Sequence, residues 1–129
     1  MMLLAVYGTL RKNGGANVML YLLFARYIGK GRVRGYRMFA LKVPFAVKSE
    51  DPNDTIVVEV YDVPDDKIPI LDYYESGYKR IKVNVELENG QTLTAWMYEW
   101  KDVDFLKNCE LIACGDWVEH IAGRCKCFK

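Results

Sequence analysis

The chain has 129 residues and 14.9 kDa, with 51% hydrophobic and 27% charged residues and a formal net charge of +1. That size suits one globular domain over residues 1–129, able to bury about two-thirds of its unfolded surface. The apolar content excludes disorder, the absence of a long apolar run excludes a membrane helix, and the near-zero net charge argues against a dedicated nucleic-acid binder.

In chain order, Met2–Tyr7 is a short apolar run closed by Gly8, which predicts a buried strand. The stretch before Gly8 lacks the length and basic leader of a secretion signal, so a soluble cytoplasmic protein is expected. After Gly14-Gly15, the apolar run Val18–Ala25 is rich in Leu, Met and Ala and predicts a short buried helix. Basic residues and glycines alternate through Ile28–Met38, consistent with a strand that bends. Thr55–Tyr61 is β-branched and apolar on both faces, as in a strand well inside a sheet.

Pro64-Asp65-Asp66 predicts the start of a helix over Asp66–Ser76, with an Asp cap, Pro69 in the first turn and Gly77 as the stop. Ile81, Val83, Val85 and Leu87 then alternate with polar residues, and Asn89-Gly90 turns the chain into Thr92–Trp100, a two-residue hairpin signal. From Val103 the tail reads as irregular, with one short helix near Trp117–Ala122. Several strands, few short helices and sequential pairing predict an α+β domain with a strongly curled sheet rather than a doubly wound one.

Charge is distributed unevenly. No acid precedes Glu50, so the first 49 residues carry nine Lys or Arg unopposed, while the other 80 hold nine cations and all 17 acids. Two readings follow: basic and acidic strands pair across one sheet, or a positive field surrounds an N-terminal site for an anionic ligand. A phosphate-tracking surface is a third, unsupported by aromatic–basic interleaving.

Cys109, Cys114, Cys125 and Cys127 crowd the C-terminal end, so they form no framework spanning the fold. Free thiols are expected. Cys125-Lys126-Cys127 with His120 lacks paired zinc-ligand spacing, and no metal or cofactor is predicted. His120 is the sole histidine, beside Glu119, which leaves a Ser-His or Cys-His mechanism poorly supported. No phosphate-binding glycine motif is present. Acid–base chemistry by a carboxylate, assisted by backbone donors, remains.

Tyr7-Gly8-Thr9-Leu10 leaves the first strand through a glycine, where backbone N–H groups can form an anion-binding concavity. In the Asp66–Ser76 helix, Ile68, Leu71 and Tyr74 share one face, and Glu75 falls at i+4 from Leu71. A carboxyl on that stripe, in the last helical turn, is desolvated and faces the negative end of the dipole, which raises its pKa. The plainer alternative is a frayed last turn whose Glu75 swings into water.

Tyr7-Gly8-Thr9-Leu10 with Arg11, Gly14 and Asn17 resembles the N-terminal signature of the gamma-glutamylcyclotransferase-like (AIG2-like) family. Leu71-Asp72-x-x-Glu75 followed by Gly77-Tyr78-x-Arg80 is similar to the same family, as are Pro44, Glu59-Val60-Tyr61, Trp96–Tyr98 and Gly115-Asp116-Trp117. Val58 stands where the family has glycine, and Val43 where an aromatic often precedes the proline.

The resemblance implies a small mixed β-barrel with peripheral helices and a cavity at one end. It implies release of 5-oxoproline from a γ-glutamyl amine or amide, with Glu75 as the catalytic carboxylate. It also implies that the loop at Tyr7, Gly8, Thr9 and Leu10, with Tyr78, holds the γ-glutamyl group. A small γ-glutamyl molecule is then the partner, and neither nucleic acid nor membrane is expected. A non-catalytic module binding a small anion on the same fold is the alternative. Tyr78 shares the parity of Arg80 and Lys82, so it either precedes the regular strand or is re-aimed by a bulge.

Overall fold

The computed structural model describes residues 2–125. Five strands close into a barrel in the order β1 (Met2–Val6), β5 (Thr55–Val63), β2 (Arg26–Arg34), β6 (Tyr78–Leu87) and β7 (Thr92–Trp100). A second sheet has the order β4 (Val43–Lys48), β3 (Tyr36–Leu41), β8 (Glu110–Leu111). Barrel pairing is antiparallel except where β1 meets β7 in parallel, Leu4 opposite Trp96, and that contact closes the barrel. The helices are short: α1 (Val18–Leu22), α2 (Ile68–Tyr74) and α3 (Trp117–Ile121). Among the described residues no helix is long and apolar enough to cross a membrane.

Burial explains the placement of each strand. From Ile56 to Val63 every residue of β5 is buried, because β1 and β2 flank it and both of its faces are covered. The residues of β1 alternate between two cores. Ala5 joins Val33, Val58, Val60, Val85 and Met97 in one, while Leu4 and Val6 join Leu20, Tyr61, Ile68, Leu71 and Tyr98 in the other, beneath the helices. A short strand buried on both sides is thus a hinge between layers, which is what its unbroken apolar run requires.

The expected bent strand over Ile28–Met38 is two strands. Gly35, at φ 78°, breaks it, leaving β2 in the barrel and sending β3 into the second sheet. The hairpin forms over the Asn89-Gly90 turn, with one loop residue more than predicted: Leu87 N–H bonds to the Gln91 carbonyl, and Gly90, at φ 91°, donates back to Leu87.

The predicted Asp66–Ser76 helix is a 3-10 turn at Asp65–Lys67 running into α2, and neither carries a side-chain cap. The run predicted as a buried helix from Val18 to Ala25 buries little beyond Leu20. Val18, Tyr21 and Leu22 are 63%, 79% and 66% exposed. A helix of five residues has one inward position to offer, whatever its composition.

Ion pairs answer the charge asymmetry. Arg26 meets Asp62, Arg34 meets Glu86, Arg37 meets Asp54, and Arg11 meets both Glu59 and Asp116. The basic half and the acidic half therefore face each other across strands, as the pairing reading expects. The cysteine expectation is corrected: Cys114 and Cys125 form a disulfide, with Cα atoms 5.6 Å apart. The chain folds back over α3, so two cysteines 11 residues apart come together locally without spanning the fold. Cys109 is free, and Cys127 lies outside the described residues.

Candidate active site

A cavity of about 200 Å3 opens at the end of the barrel where β1 stops. Its walls come from four places: the loop Tyr7–Leu10, Val43 and Pro44 of β4, the end of α2 with Tyr74 and Glu75, and Tyr78 and Tyr98 of the hairpin. All six site residues singled out from the sequence line it together. Among the residues lining this wall Glu75 is the sole carboxyl, and no Lys, Arg or His is present.

Glu75 is held where it is by the burial of its helix. Ile68 and Leu71 are 4% and 0% exposed, and the Tyr98 hydroxyl donates to Asp72 Oδ1 at 2.7 Å, fastening the last turn of α2 to β7. Glu75 itself is the C-cap, the residue just after α2, its N–H bonded to the Leu71 carbonyl at 2.8 Å, and Gly77 at φ 95° turns the chain away. The carboxyl sits half-buried in the pocket and makes no hydrogen bond or ion pair among the described residues. Burial alone lifts its pKa to about 7. The frayed alternative, with Glu75 in open water, is not what the fold adopts.

The loop opposite is built from close approaches. A Cβ on Gly8 would lie 2.3 Å from Pro44 Cγ, and a Cβ on Gly14 would lie 2.3 Å from the Gly8 carbonyl oxygen, so both positions require glycine. The Arg11 N–H donates to the Gly8 carbonyl, Gly14 N–H to Arg11 and Ala16 N–H to Thr9. By contrast, among the described residues no acceptor meets the amides of Gly8, Thr9 or Leu10. Successive unpaired N–H groups beside a cavity can receive an oxyanion or a carboxylate.

Beneath the loop lies a network that reading the sequence missed. Arg11, 3% exposed, donates from Nε to Glu59 at 3.0 Å and from Nη1 to Asp116 at 2.7 Å. Glu59 also accepts the Lys12 N–H and the Tyr61 hydroxyl, and Asn17 donates to the Leu10 carbonyl and to Tyr61. The Trp117 indole donates to the Gly14 carbonyl at 3.2 Å. Burial raises the pKa of Asp116, but the Arg11 hydrogen bond and the Glu119 N–H outweigh it and hold the carboxyl below its ordinary range. The positive charge of Arg11 is therefore consumed inside the protein and is not offered to a ligand. Only the presence of these residues in the family signature could have marked them; their spacing, 48 and 105 residues apart, carries no local signal.

The tyrosines divide by what their hydroxyls do. The Tyr7 hydroxyl donates to the Tyr98 carbonyl at 2.7 Å and accepts the Ala46 N–H, so Tyr7 presents its ring to the pocket; burial, first, pushes its pKa well up. Tyr78 donates to the Pro44 carbonyl at 2.9 Å and packs against Phe45 and Trp100. Its register opposite Trp100 is regular, with no bulge. The parity conflict dissolves because the barrel's outer face at this end is covered by β4, so the side shared with Arg80 and Lys82 is not solvent here. Tyr74 sits at the mouth, 44% exposed, its hydroxyl 3.4 Å from Thr9 Oγ1.

The fold is a small closed barrel whose pocket holds one desolvated carboxyl facing a glycine loop. The chain belongs to the gamma-glutamyl cyclotransferase, AIG2-like family, whose sequence model matches residues 4–119. It is 37% identical over 97 residues to a Methanocaldococcus jannaschii protein named "Putative gamma-glutamylcyclotransferase MJ1514", covering 72% of this chain and 79% of that one. The crystal structure of protein PH0828 from Pyrococcus horikoshii superposes with a TM-score of 0.71 at 28% identity, over 95% of this chain and 93% of that one. An AIG2-like protein from mouse shares the fold, with a TM-score of 0.73 at 19% identity over 86% and 85% of the two chains.

Proposed function

We propose that the protein is a cyclotransferase that releases 5-oxoproline from a γ-glutamyl amine or amide. The observation that carries this reading is the Glu75 carboxyl, desolvated and without a hydrogen-bond partner among the described residues, in a cavity also lined by Gly8, Thr9 and Leu10, whose amides meet no acceptor among those residues. Family membership and the name given to the M. jannaschii relative support it.

In this mechanism the nucleophile is the substrate's own α-amine, which closes a five-membered ring on the γ-carbonyl carbon. Folding the substrate into that geometry supplies proximity, which in favourable intramolecular reactions is worth roughly 7–11 kcal/mol of barrier. Glu75, as carboxylate, takes a proton from the α-ammonium, and the freed lone pair forms the new C–N bond. The γ-carbonyl oxygen becomes an oxyanion, stabilised by the amides of Gly8–Leu10. The bond to the departing nitrogen then breaks as Glu75 hands on the proton. Overall, two protons leave the α-nitrogen and two reach the departing one, carried in turn by the carboxyl. A group poised near neutrality is suited to both directions of transfer.

Tyr7 and Tyr78 wall the γ-glutamyl chain with their rings, and Leu10 and Pro44 complete the apolar lining. The test is direct. A panel of γ-glutamyl amino acids, γ-glutamyl amines and glutathione is supplied to the purified protein and 5-oxoproline is measured. Release from at least one member is expected, and tight binding with no turnover across the panel would replace the enzyme by a binding module.

A further inference from the structure

The Cys114–Cys125 disulfide encloses the segment that supports the substrate loop from below. Inside this ring Asp116 accepts the Arg11 guanidinium and caps α3 through the Glu119 N–H, and Trp117 donates to the Gly14 carbonyl. Among the described residues, the segment is also held by backbone bonds from Val57 N–H to the Gly115 carbonyl and from Gly115 N–H to Ile112, and by packing of Trp117, Cys114 and Cys125 against the main core. α3 has five residues, too few to persist without tertiary anchors. Trp117 is its one buried side chain, and Ile121 is 48% exposed. Both sulfur-bearing residues are only half-buried, and Cys114 lines a surface depression of about 240 Å3 with Tyr36, Asp54 and Gly115.

We propose that this disulfide is a redox clamp: closed, it fixes α3 beneath residues 8–17; opened by a dithiol, it lets the substrate loop loosen. The proposal concerns regulation of the pocket described above and rests on the cyclotransferase reading only for its activity arm. In the opening step a thiolate of the dithiol attacks one of the two sulfurs, and the other leaves as thiolate. The dithiol's second sulfur then displaces the first protein sulfur. The protein gains two electrons and two protons as two thiols, and the dithiol becomes a cyclic disulfide. Where thiols are kept reduced, a disulfide that forms is usually transient and regulatory.

The full chain is poised with oxidised or reduced dithiothreitol, and amide hydrogen exchange and kinetics are followed in each state. Reduction is expected to speed exchange at Arg11, Gly14 and Ala16, whose N–H bonds hold the loop, by about tenfold. It is also expected to raise KM by about tenfold with a smaller change in kcat, within the usual range of coupling between sites. The paired variant Cys114→Ser with Cys125→Ser should match the reduced protein in both states, while Cys127→Ser should respond like the parent. Peptide mapping of the oxidised protein should show the 114–125 link. Free thiols at that poise, a link from Cys114 to Cys127, or exchange and KM indifferent to reduction would each overturn the proposal. Exchange that responds to reduction, in a protein that turns over no γ-glutamyl compound in either state, supports the clamp and refutes the cyclotransferase reading.

Discussion

Replacing Glu75 with Gln separates chemistry from stability in one variant. The carboxyl has an ordinary pKa near 4.5 and reaches about 7 in the fold through burial. Below pH 4.5 the folded and unfolded chains are both protonated there, and the group contributes no pH dependence. Between about 4.5 and 7 the unfolded chain releases the proton while the folded chain keeps it. The folded state then binds more protons, and stability falls as pH rises. Above 7 both are ionised, and the full penalty of holding a desolvated charge is present. At about 1.36 kcal/mol per pKa unit, that penalty is at most about 3 kcal/mol. A neutral Gln of the same shape escapes it. Glu75→Gln should therefore unfold, at pH 8, up to about 3 kcal/mol harder than the parent, or on the order of 10 °C in Tm, and show no gain at pH 4.5. Meanwhile 5-oxoproline release should fall at least ~100-fold, the usual minimum for losing a general acid–base group. Thermal melts at both pH values and the kinetic assay check the two arms together. A variant that is active, or one whose stability is no different from the parent at pH 8, refutes the premise that this carboxyl is kept from water for acid–base work.

Other outcomes follow from the same geometry. The parent's kcat/KM should rise with pH and level off above about 7, since Glu75 must be ionised to accept the α-ammonium proton; a pH profile flat from 5 to 9 contradicts that role. Arg11→Met strands Glu59 and Asp116 without their cation, and urea unfolding should show a loss of about 3–5 kcal/mol, as for other buried pairs broken on one side. Gly14→Ala drives a methyl into the Gly8 carbonyl oxygen at 2.3 Å, so substrate affinity should drop and stability fall by about 1–3 kcal/mol, read by kinetics and denaturation. Tyr78→Phe removes one hydrogen bond to the Pro44 carbonyl while keeping the ring, and a several-fold loss of turnover with about 1 kcal/mol of stability is expected.

What could be read without coordinates depended on range. The first strand, the buried strand near residue 58, the hairpin and the position of Glu75 on its helix are all local, set by periods of two or 3.6 residues and by turn residues. A strand end and a helix end pointed to Tyr7–Leu10 and to Glu75, and the family resemblance to both, whereas Tyr78 rested on the resemblance alone and against its strand parity; all of them line one cavity. The second sheet was not: β4 has no alternation, with four of its six residues buried, and Gly35 splits what looks like one strand. The exposure of Val18, Tyr21 and Leu22 was equally hidden, because apolar composition states what a residue tolerates and not what covers it.

The charge pattern shows why long-range partners decide the electrostatics of the pocket. Read alone, nine cations before the first acid suggest a site that attracts anions. In the fold, Arg11, the cation nearest the pocket in sequence, is neutralised by Glu59 and Asp116, and the wall of the cavity carries no cation at all. A cation beside Glu75 would hold its carboxyl ionised and pull its pKa down. Two acids, one from β5 and one from the residue before α3, hold the Arg11 guanidinium, and burial is what raises the Glu75 pKa to about 7. In the proposed cyclotransferase reaction, recognition of the substrate's own charges would accordingly fall to backbone amides of residues 8–10 rather than to Arg11.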